Sequence, residues 1–242
     1  MGTSTARSAR SPAPARPWRL QRWPTDATIG HLVVHDHHVA PTAEHVEAAT
    51  TASRRRGDRA LRTSALFPTA ADVFTAAGFV PIDRLALLRI DLPLARRPRA
   101  TADGVSLTPL RPWTRRAAAA VDRNAFGPLW GNSAASLRDT LHATPAHRGR
   151  LARVDRRVVA VAISGAAGSA GYIQRLAVDP EHQRRGLATL LVLDGLAWMT
   201  AGGATSALVN TGIANEAALA LYLALGFELL DDELIIAERT WS

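Results

Sequence analysis

Residue types and spacing first suggest chemistry in the segment Leu176-Ala177-Val178-Asp179-Pro180-Glu181-His182-Gln183-Arg184-Arg185-Gly186-Leu187-Ala188. An apolar run ends at Val178, and Pro180 keeps a strand from continuing smoothly. The chain then enters a helical pattern at Gly186. Backbone N–H groups in such a loop can point into one concavity, and the helix N-terminus adds about half a positive charge. Gly186 lets a ligand approach the backbone closely, and Arg184 and Arg185 add mobile positive charge. Together these suit a pyrophosphate. They equally suit an ordinary β–α turn with a surface arginine pair, and the loop alone does not separate the two readings. Further on, Asn215 and Tyr222 lie seven residues apart, about two helical turns, which puts them near one helix face. A tyrosine hydroxyl there can donate a proton, or belong to a core aromatic with its tip in water. In His35-Asp36-His37-His38, imidazoles and a carboxylate could bind a metal. Adjacent residues rarely converge on one ion, so no metal is expected.

The elements that must position these residues follow from periodicity and punctuation. His31–Val34 reads as a strand. Thr42–Arg56 has helical spacing, with Thr42 as cap and Gly57 as stop. Leu61–Phe67 reads as a strand, Pro68-Thr69 opens a helix ending at Gly78, and Val80–Leu92 reads as a strand or strand pair. Arg96–Arg99 looks like a linker. A second module starts with the strand Val105–Leu110 and continues with helices at about Thr114–Ala125 and Ser133–Ala143. Arg150–Asp155 and Arg157–Ala162 form a hairpin turning at Asp155-Arg156. Then come the strand Gly171–Val178, a helix Arg185–Ala201, the strand Thr205–Asn210, a helix Ala214–Leu225 and a strand pair in Glu228–Thr240. This order predicts a mixed α/β sheet with helices packed on it. An internal repeat is expected. Thr63-Ser64-Ala65-Leu66 recurs at Thr205–Leu208, Gly78-Phe79 recurs at Gly226-Phe227, and His31–Val34 falls opposite Arg175–Val178. On that alignment Gly186 falls opposite Thr42, and Tyr222 opposite Phe74, which has no hydroxyl.

Composition narrows the classes. The chain of 242 residues is 47% apolar, enough to bury a core. It contains no cysteine, which excludes disulfides, thiolate zinc sites and a cysteine nucleophile. No stretch reaches the roughly 20 apolar residues of a membrane helix. No signal-peptide pattern opens the sequence, and a cytoplasmic location is expected. The net charge of +8 comes mainly from the N-terminal part, since residues 1–100 carry 15 Arg against 8 acids. Residues 1–17 have almost no large apolar side chain and are expected to form a disordered tail. Few aromatic residues accompany the basic ones, which argues against a nucleic-acid partner.

The strand ending Leu-Ala-Val-Asp-Pro, the run Gln183-Arg-Arg-Gly186-Leu-Ala188, the helix from Asn215 to Tyr222 and the Gly226-Phe227 pair closely resemble the GNAT superfamily of acyl-CoA-dependent N-acyltransferases. The resemblance covers about residues 104–242. It implies a GNAT-type mixed sheet with flanking helices, preceded at 18–95 by a degenerate GNAT-like half-domain and a linker at 96–103. It implies acetyl-CoA as cosubstrate, with its pyrophosphate on Gln183, Arg184, Arg185, Gly186, Leu187, Ala188 and Thr189. It further implies that Leu176, Ala177 and Val178 hydrogen-bond the pantetheine arm, which lies in a gap between this strand and Thr205–Asn210. Asn215 is similar to the residue that steadies the arm, and Tyr222 to the usual general acid. The implied reaction is direct attack of an amine on the thioester, the acceptor being a protein N-terminus, a lysine or a small-molecule amine. Many relatives carry a glutamate on the strand leading into the loop; here Tyr172-Ile173-Gln174-Arg175 offers no carboxylate. The alternative is a non-catalytic acyl-CoA-binding or regulatory protein.

Overall fold

A computed structural model describes residues 18–34, 41–94 and 104–241. The tail 1–17, the His35–His38 cluster and the whole of the expected linker, 96–103, lie outside the described residues. Among those described, ten strands form one sheet in the order β1-β2-β3-β10-β4-β9-β8-β7-β6-β5. The strands are β1 Trp18–Arg22, β2 Ile29–Val34, β3 Ala60–Thr63, β4 Val80–Asp91, β5 Val105–Pro109, β6 Ala146–Val154, β7 Arg157–Ala167, β8 Ala170–Val178, β9 Ser206–Gly212 and β10 Glu228–Thr240. The helices are α1 Ala43–Arg55, α2 Pro68–Ala76, α3 Arg115–Trp130, α4 Ala134–Leu141, α5 Leu187–Ala201 and α6 Glu216–Ala224.

Local chemistry accounts for most of these elements. Thr42 caps α1: its Oγ1 accepts from His45 N, and His45 Nδ1 accepts from Thr42 N, both at 3.3 Å. Helix α1 buries Val46, Ala49, Thr50 and Ser53, one stripe at helical spacing. Asp155 and Arg156 both have positive φ, the geometry of a two-residue turn that joins antiparallel strands. Four expectations need correction. Strand β1 is additional, an edge strand whose Trp18 and Leu20 pack on the first-half core. Strand β3 stops at Thr63, and only an isolated bridge from Leu66 to Ile235 continues it. Helix α3 runs on to Trp130, broken at Gly127. Residues 228–240 form one strand, in which Leu230–Asp232 bulge out opposite Leu87.

The two halves share the sheet by exchanging strands. Strands β2 and β3 run parallel, as do β8 and β9. Strand β4 leaves the first half to pair antiparallel with β9, while β10 leaves the second to pair with β3. Strands β4 and β10 also pair with each other, so each half's sheet is completed by the other's last strand. The repeat holds in the helices and fails in one match. Phe74 and Tyr222 occupy the seventh positions of α2 and α6, and each packs edge-on against the phenylalanine of the following Gly-Phe, at 5.1 and 5.4 Å. Thr63–Leu66 and Thr205–Leu208 are not equivalent: Thr63 ends β3, whereas Thr205 precedes β9.

Helices α5 and α6 bury Leu88 and Ile90 of β4, and α1 and α2 bury Ala237 of β10 beside the partly buried Ile235. Ile235 pairs with Arg84, two residues before Ala86, so both clusters lie on one face. Helices α3 and α4 cover Leu151, Val161, Ile163 and Ala177 on the opposite face.

Candidate functional site

Parallel pairing of β8 with β9 ends at Ile173 and Val209. Beyond that point β8 continues to Val178 bonded only to β7, and β9 continues to Gly212 bonded only to β4. The strands separate, and the edge of β8 from Gln174 to Val178 is left without a strand partner among the described residues. Backbone N–H and C=O groups on such an edge are strong hydrogen-bonding groups. The Val178 carbonyl accepts from Gln183 Nε2 at 3.3 Å.

The loop after β8 is built by local constraints. Asp179 Oδ1 accepts from Glu181 N at 3.2 Å, and Asp179 Oδ2 accepts from Asn124 Nδ2 of α3 at 3.0 Å. Arg184 and Gly186 have positive φ, of 60° and 78°. Gly186 is the N-cap residue of α5, and a Cβ placed on it would meet nothing within 4 Å. Open space thus lies directly over the positive end of a helix. Across the gap Asn215 caps α6, its Oδ1 accepting from Ala218 N at 3.2 Å.

These parts enclose a cleft of about 570 Å³. Of the residues named from sequence, Leu176, Ala177, Val178, Gln183, Arg184, Gly186, Leu187, Ala188, Thr189 and Asn215 line it. Arg185 does not, and neither does Tyr222, although its neighbours Ala218 and Leu221 do. Tyr222 is 4% exposed, in the core with Phe227, and burial pushes its phenol above the ordinary tyrosine range. Sequence reasoning missed Ala125 and Phe126 of α3 and His182 of the loop, which also line the cleft. No sequence signal marks the two α3 residues, because only the folding of α3 over β8 brings them there.

The β8 position with no carboxylate is tied to one from another element. Arg175 donates from Nε and Nη2 to the fully buried Asp122 of α3 at 2.6 and 2.8 Å, and from Nη2 to the Trp130 carbonyl at 2.8 Å. Asp122 Oδ1 also accepts from Asn132 N at 2.6 Å. Each Asp122 oxygen is thereby engaged. In the first half, Trp18, Leu32, Val34, Pro41, His45, Val46 and Phe74 converge at the place that the repeat alignment sets opposite the cleft, and among the described residues they leave no space the size of a water molecule. Asp179, Glu181 and His182 bring ligand atoms within 4.8 Å of one another, but Asp179 already accepts two hydrogen bonds. Among the described residues no helix is long and apolar enough to cross a membrane.

Residues 117–227 match the sequence profile of the acetyltransferase (GNAT) family. They form a GNAT domain. Over 57 residues the chain is 42% identical to N-alpha-acetyltransferase 30 of Xenopus laevis, a stretch covering 24% of this chain and 21% of that protein. The Homo sapiens protein of the same name is also 42% identical over 57 residues, 16% of its length. The chain thus spans about a fifth or less of the curated relatives it matches. A GCN5-related N-acetyltransferase from Sphaerobacter thermophilus shares the fold, with TM-score 0.63 and 14% identity over 92% of this chain and 76% of that one. A tandem GNAT protein from the clavulanic acid biosynthesis pathway does so with TM-score 0.64 and 17% identity, over 88% and 75% of the two chains. The whole mixed sheet, including its first half, therefore has GNAT-fold counterparts.

Proposed function

We propose that the cleft between β8 and α6 binds acetyl-CoA and that the protein transfers the acetyl group to an amine. The observation that carries this reading is the coincidence of the separated β8 edge, the positively charged mouth of α5 and the open space over Gly186 in one cleft. In this reading the backbone from Gln183 to Thr189, with the Arg184 side chain that lines the cleft, holds the pyrophosphate, and Arg185, outside the lining, adds positive charge beside it. Leu176, Ala177 and Val178 hydrogen-bond the pantetheine arm through their backbone, and Asn215 steadies it. When bound, the cosubstrate supplies an activated acyl group as a thioester. The backbone N–H of Val178 stabilises negative charge on the carbonyl oxygen. The amine nitrogen bonds to the acetyl carbon as the carbon–sulfur bond breaks; Tyr222, protonated at neutral pH, gives its proton to the departing sulfur, and the proton shed by the amine returns through water to the phenolate. The acceptor is a protein N-terminus, a lysine or a small-molecule amine, the first favoured by the partial likeness to an N-alpha-acetyltransferase. Residues 104–242 are the transferase domain, and residues 18–95 a truncated copy that does not bind the cosubstrate.

Thermal shift with acetyl-CoA, on wild type and on Gly186→Glu, tests binding, and free-thiol release with a panel of peptides and amines tests transfer. A shift in the wild type that Gly186→Glu abolishes is expected. A second reading, an acyl-CoA-binding module without turnover, draws on the burial of Tyr222 away from the cleft lining. Tyr222→Phe separates the two. The transferase reading expects turnover to fall by about 100-fold or more with binding intact, as for loss of a general acid. Binding without thiol release from any amine would favour the module.

A further inference from the structure

The last turn of α3 is not carried by the helix alone. Gly127 adopts φ 71° and ψ −175°, and Pro128 follows, so the hydrogen-bond ladder is interrupted before Leu129 and Trp130. Contacts from two other places hold these residues. From the first half, Trp23 Nε1 donates to the Leu129 carbonyl at 2.9 Å, and Thr25 Oγ1 donates to the same oxygen at 3.3 Å. The Trp23 ring meets Trp130 edge-on at 5.6 Å. The Arg62 guanidinium lies 4.4 Å from the Trp23 ring centre and 5.4 Å from that of Trp130. Its Nε donates to Glu238 of the exchanged strand β10 at 2.8 Å, and its Nη1 is buried without a hydrogen-bond partner. From β8, Arg175 donates to the Trp130 carbonyl. Arg175 also stacks on Phe126 at 3.6 Å, and Phe126 lines the cleft. Arg175 precedes Val178 by three residues, about 10 Å along the strand. This contact therefore lies toward the end of the cleft remote from the Gln183–Thr189 loop.

We propose that Trp23 and Arg62 are positioning residues for the transfer site. By clamping Leu129 and Trp130 they fix Arg175, and through it Phe126, the wall of the cleft nearest the separation of β8 from β9. The first half thus serves the reaction without touching the cosubstrate. The proposal rests on the acetyl-CoA reading of the cleft for its catalytic consequence, but not for the mechanical coupling.

The test compares wild type with Trp23→Ala, Trp23→Phe and, as an exposed tryptophan outside the clamp, Trp113→Ala. Amide hydrogen exchange is followed in residues 126–132 and 174–178, alongside CoA affinity and the kcat and KM of acetyl transfer. In Trp23→Ala, exchange is expected to rise in both segments while CoA affinity holds. Its kcat falls about 10- to 100-fold, the scale of an ångström-sized misplacement, with KM for acetyl-CoA little changed. Trp23→Phe keeps a ring but not the N–H, and is expected to fall between; it carries the test if Trp23→Ala does not fold. Trp113→Ala is expected to match wild type. If 126–132 loosens while exchange in 174–178 and kcat stay at wild-type values, the proposal is wrong. The exchange comparison decides it even where the wild type turns over no amine, a result that would refute the transferase reading alone.

Discussion

Gly186 and Gly57 form a matched pair for testing the cleft. Their φ angles are +78° and +83°, and a Cβ at either would meet nothing within 4 Å. Replacing either with alanine therefore creates no clash, and the cost is the left-handed backbone alone, about 1–2 kcal/mol. For a chain of this size each kcal/mol lowers Tm by about 2–4 °C, so both variants lose about 2–8 °C without ligand. They differ in what the new methyl faces. Gly186 lines the cleft over the α5 N-terminus, whereas Gly57 follows α1 in the first half. With acetyl-CoA at a hundredfold excess over Kd, the wild type gains about 2.7 kcal/mol, and a tenfold weaker binder gains about 1.4 kcal/mol at the same concentration. Scanning fluorimetry over an acetyl-CoA titration is expected to show Gly57→Ala keeping the full ligand-induced shift and Gly186→Ala losing half of it or more. Equal shifts in both variants, with a clear shift in the wild type, would refute the placement of the ligand over Gly186.

Three further outcomes follow from the same geometry. Asp122→Ala leaves the Arg175 guanidinium, whose side chain is 19% exposed, without its carboxylate, and is expected to cost about 3–5 kcal/mol in urea unfolding; a loss under 1 kcal/mol would show that the pair contributes little. His31 is half-buried beside Arg62, and desolvation first, then Arg62 and Arg19, lower its pKa from 6.5 to about 4. The unfolded state then binds more protons between those values. The stability from keeping His31 neutral is complete above about pH 6.5 and is lost as pH falls toward 4, by up to about 3 kcal/mol; His31→Gln should flatten that slope in Tm against pH. Calorimetric titration should return one acetyl-CoA per chain, because Trp18 and Phe74 fill the first-half equivalent of the cleft; two sites would contradict this packing.

Much of the site was legible because it is built from local signals. The strand–loop–helix passage from Leu176 to Thr189 needs only an apolar run, a proline and a glycine at a helix start. Phe74 and Tyr222 were aligned by the Gly-Phe pairs that close their helices, and both pairs have the same edge-on contact. The Thr-Ser-Ala-Leu match misled because four similar residues carry no register: Thr63 is paired within β3, whereas Thr205 lies outside β9. The seven-residue spacing of Asn215 and Tyr222 placed them near one helix face. It could not tell that the phenol side of this face turns into the core.

Sequence by itself determined most of the elements and their approximate limits, the phosphate-suited loop and the family resemblance, since these depend on propensity, periodicity and residues a few positions apart. Tertiary structure alone decided which strand lies beside which, and so the reciprocal insertion of β4 and β10. It also paired Arg175 with Asp122 across 53 residues and Trp23 with Leu129 across 106. Such partners are chosen by which packing buries the apolar faces and satisfies every buried charge at once, a condition on the whole chain that no local pattern encodes.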